Sequence, residues 1–130
     1  MSIVLGQRSL SRLEGVHPDL VRVVKKAAAL SDLDFTVLEG IRSVERQKQL
    51  VSQGASKTMN SRHLTGHAVD LAPILGGEVS WAWPQYHRLA KIVKAAAAAE
   101  NVAVTWGGDF RTFKDGPHWE LPWKFYPKGK

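Results

Sequence analysis

Residues 61–70 read SRHLTGHAVD, a stretch with two histidines four positions apart and an aspartate at its end. Imidazole nitrogens and carboxylate oxygens bind divalent transition metals, so this stretch is a candidate metal site. The chain has no cysteine, and any metal would therefore be bound by His, Asp or Glu. Two arrangements are open. His63 and His67 can share a helix face, or one histidine can join Asp70 and a third ligand from elsewhere.

The helical arrangement imitates the HExxH motif of helical zinc proteases but lacks two of its requirements. That motif has a glutamate, the general base, directly after the first histidine, and here this position is Leu64. It also needs a helix, whereas Thr65 and Gly66 are poor helix formers and residues 67–72, HAVDLA, are strand-like. The sequence therefore favours the second arrangement, in which a turn leads into a strand that carries Asp70.

A third ligand must come from outside this stretch, because a catalytic zinc usually has three protein ligands and one open position. His17 precedes a helix and His87 lies on a predicted surface helix, so we expect both to be structural or solvated. His118 follows a Gly-Pro turn at the start of a predicted strand, three residues after Asp115. Spacing alone thus allows a His-Asp-His site with Asp115 as base. The alternative, that these histidines are ordinary surface or core residues, stays open.

Helices and strands alternate irregularly along the chain and would have to position these side chains. Hydrophobic spacing and capping residues predict three helices, from Pro18 to Leu30, from the cap Ser43 through Val51 to an end at Gly54, and from Pro84 to about Glu100. Residues rich in β-branched and aromatic side chains predict strands at 34–41, 67–72, 102–106 and 118–121. In the first of these, Glu39 shares strand parity with Val37 and would face inward, and we expect it to form an ion pair rather than to take part in catalysis. The predicted class is α+β, with a small antiparallel or mixed sheet flanked by about three helices.

Size and composition limit the class of protein. A chain of 130 residues with 44% apolar and 23% charged residues suits one soluble domain spanning residues 1–130. No apolar run reaches membrane-spanning length, so we expect no stable membrane insertion. The start, MSIVLGQRSLSRLEG, lacks the basic and long apolar segments of a signal peptide. A net charge of +6 indicates an anionic partner, such as nucleic acid, a membrane surface or a cell-wall polymer.

Two motifs carry a family resemblance. SRHLTGHAVD resembles the S-x-H-x-x-G-x-A-x-D signature of the VanY-like D-alanyl-D-alanine carboxypeptidase family of zinc peptidases. DGPH, residues 115–118, resembles the second element of that family, an acidic residue three positions before the last zinc ligand. LEGIRSVERQKQL (38–50), GASKTMNSRHLTGHAVDLAP (54–73) and WGGDF…DGPHWEL (106–121) are similar to the phage endolysin branch, whose members are L-alanyl-D-glutamate endopeptidases.

The resemblance implies a role for several residues and leaves His67 at a variable motif position. The implied roles are Zn2+ ligand for His63, Asp70 and His118, catalytic base for Asp115, contact with the substrate carbonyl for Arg42, and substrate contact for Ser61. Carboxypeptidase relatives usually have Glu as the base and the endolysin branch has Asp, so Asp115 favours the endopeptidase. Trp106 and Trp119 flank these motifs and are the better tryptophan candidates to line a cleft, and we expect Trp106 to contact the substrate.

The resemblance also implies the fold of hedgehog-type domains and D-Ala-D-Ala peptidases, and an enzyme that cleaves L-alanyl-D-glutamate bonds in bacterial peptidoglycan during host lysis. We expect a monomer that accumulates in the host cytoplasm and reaches the periplasm and cell wall at lysis. Three alternatives remain. They are a D-alanyl-D-alanine carboxypeptidase acting on the same stem peptides, a non-catalytic zinc-binding module, and a nucleic-acid binder. The last rests on charge alone, and we expect no nucleic-acid partner.

Overall fold

The computed structural model describes residues 2–56, 59 and 61–127. Within them the chain forms helices, strands and two 3-10 turns, in this order: α1 (Gln7–Arg12), α2 (Pro18–Leu30), β1 (Phe35–Glu39), α3 (Val44–Ser52), a first 3-10 turn (Arg62–Thr65), β2 (Ala68–Leu75), β3 (Glu78–Val79), α4 (Trp83–Ala99), β4 (Thr105–Trp106), a second 3-10 turn (Gly107–Asp109) and β5 (His118–Glu120). The strand pairs are antiparallel. The predicted α+β class with a small antiparallel sheet is confirmed.

The sheet has the order β1-β2-β5-β4, and β3 pairs with the C-terminal end of β2. Asp70 on β2 lies opposite Glu39 on β1 and opposite His118 on β5, so these three residues form a row across the sheet. A register shift between Val37 and Glu39 creates this row. Strand parity predicted that Glu39 would face inward together with Val37. That prediction is wrong, because the irregularity re-aims the side chain.

Helices α2 and α4 pack against each other and form one hydrophobic core with the sheet. The side chains of strand β5 alternate between the core face and the opposite face of the sheet. Trp119 is 1% exposed and belongs to the core, while its neighbours His118 and Glu120 point the other way and are partly exposed. The predicted bounds of α2 are confirmed, and Ser43 caps α3 by accepting a hydrogen bond from the Arg46 amide at 3.0 Å.

Helix α1, which the sequence did not predict, lies against the edge strand β1. Ser9 Oγ accepts a hydrogen bond from the Val37 amide at 3.0 Å, and Arg12 Nη1 donates to the Val37 carbonyl at 2.8 Å. An edge strand presents backbone groups without strand partners, and these side chains satisfy two of them. The helix is only six residues long, so tertiary contacts rather than its own propensity stabilise it.

Other predicted boundaries differ by a few residues. The strands predicted at 34–41, 102–106 and 118–121 are shorter in the structure, and α4 begins and ends one residue earlier than predicted. The strand predicted at 67–72 continues to Leu75, where it turns back into β3. Among the described residues, no helix combines the length and apolar character needed to cross a bilayer.

Candidate metal centre

Three side chains from separate elements converge beside the row described above. His63, Asp70 and His118 each place one potential ligand atom within 4.8 Å of the others. His63 Nε2 lies 3.2 Å from Asp70 Oδ1, and His118 Nδ1 lies 3.4 Å from the same oxygen. These three side chains can hold one metal ion. The structure thus brings together the three residues that the sequence proposed as ligands.

The first 3-10 turn explains how His63 and Asp70 meet. Ser61 Oγ accepts a hydrogen bond from the His63 amide at 3.2 Å and caps the turn. Gly66 ends it with a φ of +76°, and a Cβ atom there would lie 2.5 Å from the carbonyl oxygen of Gly15. Only glycine fits this left-handed and crowded position. The chain then enters β2, so the two histidines of HLTGH do not share a helix face.

The remaining histidines lie outside this group, as the sequence predicted. His67 is buried, and its Nδ1 atom lies 2.7 Å from Thr65 Oγ1. His17 caps α2, where its Nδ1 accepts a hydrogen bond from the Asp19 amide at 3.1 Å. His87 is exposed on α4 and packs edge-on against Trp106.

A close backbone approach holds the Asp115–His118 segment beside β4. The Asp115 amide donates to the Gly107 carbonyl at 3.0 Å, and the His118 amide donates to the Asp115 carbonyl at 3.2 Å. A Cβ atom at position 107 would lie 2.2 Å from the Asp115 carbonyl oxygen and 2.9 Å from His118 Cβ. Glycine at 107 therefore allows the segment to reach the other two ligands.

Hydrogen bonds leave one nitrogen of each histidine available for a metal. His63 Nδ1 lies 2.8 Å from the Gly40 carbonyl oxygen, which can only accept, so Nδ1 carries the proton and Nε2 faces Asp70. His118 Nε2 lies 2.7 Å from Glu120 Oε1, so Nδ1 faces Asp70. Metal-binding histidines usually donate a hydrogen bond from their second ring nitrogen in this way. Two imidazoles and one carboxylate, each with one ligand atom that faces the others, fit a divalent metal such as zinc.

The charges of the group suit a metal ligand set. Burial by itself would raise the pKa of Asp70, but hydrogen bonds from His118 and His63 outweigh it and hold the pKa well below its ordinary value. Burial would lower the pKa of His118, but its hydrogen bonds to Asp70 and Glu120 outweigh burial and raise the pKa to about 9. The Asp70 carboxylate is therefore ionised. A bound metal ion would replace the proton that His118 donates to Asp70.

Asp115 lies in the same cleft as His63, Asp70 and His118. Although the residue as a whole is exposed, desolvation of its carboxyl group raises its pKa, and the negative charge of Asp70 raises it further. The positive charges of His118, His63 and Arg42 act in the opposite direction but do not cancel the rise. A carboxyl group with a raised pKa beside a metal site is suited to take up and release a proton.

Arg42 is fixed at the edge of the cleft by two partners. Its Nε atom donates to Glu39 Oε2 at 3.1 Å, its Nη2 atom makes an ion pair with the same carboxylate, and its Nη1 atom donates to Gln47 Oε1 at 2.8 Å. The Arg42 amide also donates to the His63 carbonyl at 2.9 Å. Glu39 therefore takes part in an ion pair, which the sequence favoured over catalysis, while Gln47 carried no recognisable signal.

The cleft includes the predicted site residues except the two tryptophans, Trp106 and Trp119, and our expectation that these two would line it is wrong. Arg42, Ser61, His63, Asp70, Asp115 and His118 all line it. Trp106, which we expected to contact substrate, is 4% exposed and stacks on Trp119 in the core, and its indole N–H donates to the Gly116 carbonyl at 2.7 Å. Trp106 therefore supports the 115–118 segment from the core side, through its hydrogen bond to Gly116. The cleft wall also includes Trp123 and residues that the sequence did not single out, among them Phe110, Phe113 and Glu120.

Known proteins match both the sequence and the fold. The family model described as phage L-alanyl-D-glutamate peptidase matches residues 1–122. The L-alanyl-D-glutamate peptidase of Escherichia phage T5 is 31% identical over 88% of this chain and 87% of its own length. The peptidoglycan L-alanyl-D-glutamate endopeptidase CwlK of Bacillus subtilis is 31% identical over 75% of this chain, which spans 66% of CwlK. The crystal structure of the L-Ala D-Glu endopeptidase ChiX of Serratia marcescens matches with a TM-score of 0.89 at 49% identity, over 93% of this chain and 91% of ChiX.

Proposed function

The chain belongs to the phage L-alanyl-D-glutamate peptidase family, and on that premise we propose that it is a zinc-dependent endopeptidase of bacterial peptidoglycan. It cleaves the bond between L-alanine and D-glutamate in the stem peptides of the host cell wall. The observation that carries the proposal is the convergence of His63, Asp70 and His118, with Asp115 in the same cleft. A net charge of +6 suits a substrate that is an anionic polymer.

Zinc is the metal we assign to the three ligands, because two imidazoles and one carboxylate leave an open coordination position typical of catalytic zinc. When bound, zinc acts as a Lewis acid that polarises a carbonyl oxygen and makes water a nucleophile near neutral pH. His63 and His118 supply neutral nitrogen ligands, and Asp70 supplies one negative charge. The backbone carbonyl of Gly40 fixes the ring of His63 through its second nitrogen.

Asp115 is the general base in this proposal. Its carboxylate takes a proton from the attacking water and passes it to the nitrogen of the leaving D-glutamate, so that the peptide bond breaks and an amine departs. Its position in the cleft beside His63, Asp70 and His118 supports this role. Proton transfer of this kind typically contributes about 10²–10⁴-fold to the rate.

Arg42 stabilises the negative charge that develops on the carbonyl oxygen of L-alanine. Its guanidinium group is already oriented by Glu39 and Gln47, so little reorganisation is needed when the charge forms. Ser61 lines the same cleft and offers a hydroxyl group for a hydrogen bond to the peptide backbone of the substrate. We assign both residues to substrate contact on their position in the cleft.

Digestion of purified muropeptides tests the proposed function. We expect mass spectrometry to find products that end in L-alanine together with peptides that begin with D-glutamate. Loss of terminal D-alanine alone would identify a carboxypeptidase, and release of the whole stem peptide or cleavage of the glycan would also contradict the proposal. The wild-type protein treated with a chelator should give no products, and added zinc should restore them.

The proposed place of action is the host cell wall at the time of phage-induced lysis. We propose that the protein acts as a monomer on the peptidoglycan of the host, which it reaches from the host cytoplasm at lysis. The relatives from phages and from Bacillus subtilis support action on the wall, because CwlK is named as a peptidoglycan endopeptidase. Purified protein added to cell walls should lower their turbidity, and DNA should not compete for binding at physiological salt.

Replacing Arg42 by alanine should lower kcat by about 10²–10³-fold, because one preorganised donor to the developing charge is lost. Zinc content and the circular dichroism spectrum should stay unchanged, since Arg42 is not a ligand. Arg42→Lys keeps the charge but not the paired geometry with Glu39, and we expect an intermediate rate. Arg88→Ala removes an exposed arginine outside the cleft and serves as the control. A kcat within twofold of wild type for Arg42→Ala would remove Arg42 from the mechanism.

A further inference from the structure

Glu120 lies on the same face of β5 as His118, because side chains two residues apart in a strand share a face. Trp119 between them points into the core. Across the sheet, Glu120 lies opposite Ala68 on β2 and opposite Thr105 on β4. Glu120 lines the cleft together with His63, Asp70 and His118.

The contact between Glu120 and His118 determines which ring nitrogen of His118 faces Asp70. Glu120 Oε1 lies 2.7 Å from His118 Nε2, and the two side chains are 15% and 12% exposed. A carboxylate can only accept a hydrogen bond, so the N–H at Nε2 donates to it. The opposite nitrogen, Nδ1, faces Asp70 at 3.4 Å. Glu120 itself is outside the group of ligand atoms, since it contacts the imidazole on the side away from Asp70.

A fixed positive charge stands near Glu120. Arg62 is 3% exposed, and its guanidinium group stacks over Trp123 at 4.0 Å. Its positive charge interacts electrostatically with the carboxylate of Glu120. Hydrogen bonds from its Nε and Nη2 atoms to the Leu121 carbonyl, and from Nη2 to the Tyr126 carbonyl, anchor it further. Arg62 and Glu120 thus line the same cleft, with the guanidinium group held in place by backbone carbonyls and Trp123.

We propose that Glu120 is a positioning residue for the metal site, which holds the His118 ring with Nδ1 toward the metal through the hydrogen bond at Nε2. The proposal rests on the function proposed above. Carboxylates that accept a hydrogen bond from a metal-binding histidine orient the ring, fix its tautomer and raise its basicity as a ligand. In their absence the ring can rotate or take the other tautomer, and both changes weaken metal binding.

Zinc affinity, measured by competition with a chromogenic chelator, is the first test. Glu120→Ala should weaken zinc binding by about 10–100-fold. Glu120→Gln keeps an oxygen acceptor without the charge, so its affinity should lie between those of wild type and Glu120→Ala. The control is Glu100→Gln, which removes a carboxylate paired with Arg22 at the end of α4, outside the cleft. The control should bind zinc as wild type does.

A long-range ¹H–¹⁵N spectrum of the zinc-loaded protein is the second test. In wild type, the His118 Nε2–H proton should be protected from exchange and should correlate with Nε2, with Nδ1 showing the shift of a metal-bound nitrogen. In Glu120→Ala that proton should broaden or vanish. If Glu120→Ala fails to fold, Glu120→Gln takes its place, and its Nε2–H proton should exchange faster than in wild type because the neutral amide oxygen is a weaker acceptor. A merely structural role would lower the melting temperature of the metal-free protein and leave these signals unchanged.

Two results would overturn the proposal. One is a zinc affinity of Glu120→Ala and Glu120→Gln within twofold of wild type. The other is an equal loss of affinity in Glu100→Gln, which would indicate a general effect of net charge. Failure of the proposed function gives a different pattern, because the wild-type protein would then bind no zinc or would leave muropeptides intact. Wild-type zinc binding and cleavage with an unaffected Glu120→Ala variant would reject the positioning role alone.

Discussion

Asp115→Asn is expected to lower kcat by about 10²–10⁴-fold while leaving the bound zinc and the fold in place. Asparagine has nearly the same shape as aspartate, but its amide cannot accept a proton from water. The three ligands do not include Asp115, and its contacts to Gly107 and His118 are made by backbone atoms that the substitution keeps. Kinetics on a purified stem peptide, with zinc content and circular dichroism measured on the same samples, check the prediction.

The control for Asp115→Asn is Asp109→Asn. Asp109 is an exposed carboxylate on the second 3-10 turn and pairs with Lys94 at 2.8 Å, so this variant removes the same charge from a nearby element without touching the metal ligands. Its kcat should stay within twofold of wild type. A fully active Asp115→Asn enzyme would remove Asp115 as the base. An Asp115→Asn protein that had lost its zinc would reassign Asp115 to metal binding.

His63→Ala, Asp70→Ala and His118→Ala are each expected to lose bound zinc and, with it, measurable activity. Each substitution removes one of three protein ligands, and two ligands do not retain the ion against the chelating capacity of an ordinary buffer. Zinc per folded protein, measured by atomic emission after gel filtration, is the direct measurement. Added zinc should not restore cleavage in any of the three variants.

His67→Ala is the matched control for these ligand variants, because His67 belongs to the same HLTGH stretch and is also buried. Its ring lies beside Thr65 and outside the ligand group, so the variant should keep one zinc per chain even if its melting temperature falls. Loss of zinc in His67→Ala with retention in Asp70→Ala would support the helical HExxH-like arrangement instead.

The meeting of His63 with Asp70 could be predicted from sequence because the local backbone chemistry between them determines it. Thr65-Gly66 is incompatible with a long helix, and the strand pattern after it fixes the direction of the Asp70 side chain. His118 could be placed only by its Gly-Pro turn and by the family resemblance. Its pairing opposite Asp70 depends on contacts between residues far apart in the chain, which spacing does not reveal.

The features that were missed depend on tertiary contacts or on small backbone irregularities. Helix α1 is short and has no side-chain cap, so its propensity gives no signal apart from its contacts with β1. The register shift before Glu39 reverses the parity of that residue without any marker in the sequence. By contrast, Gly76-Gly77 between β2 and β3 has φ values of +59° and +82°, and such a pair is a recognisable hairpin signal.

Aromatic residues show a further limit of prediction. Trp106 flanks the site in the sequence, yet it points into the core, whereas Trp123 lies in the cleft wall and stacks with Arg62. In a two-residue strand such as β4, the face of a side chain depends on the pairing with β5, and no periodic pattern is long enough to reveal it. Glu120 could have been found from its position two residues after His118 on a predicted strand.

The most direct test of the account is a crystal structure of the zinc-soaked protein with anomalous data collected on both sides of the zinc absorption edge. We predict one strong anomalous peak bonded to His63 Nε2, an oxygen of Asp70 and His118 Nδ1, with the Asp115 carboxylate facing the open coordination position. A peak elsewhere, or a peak in this cleft that leaves out His118, would contradict the account.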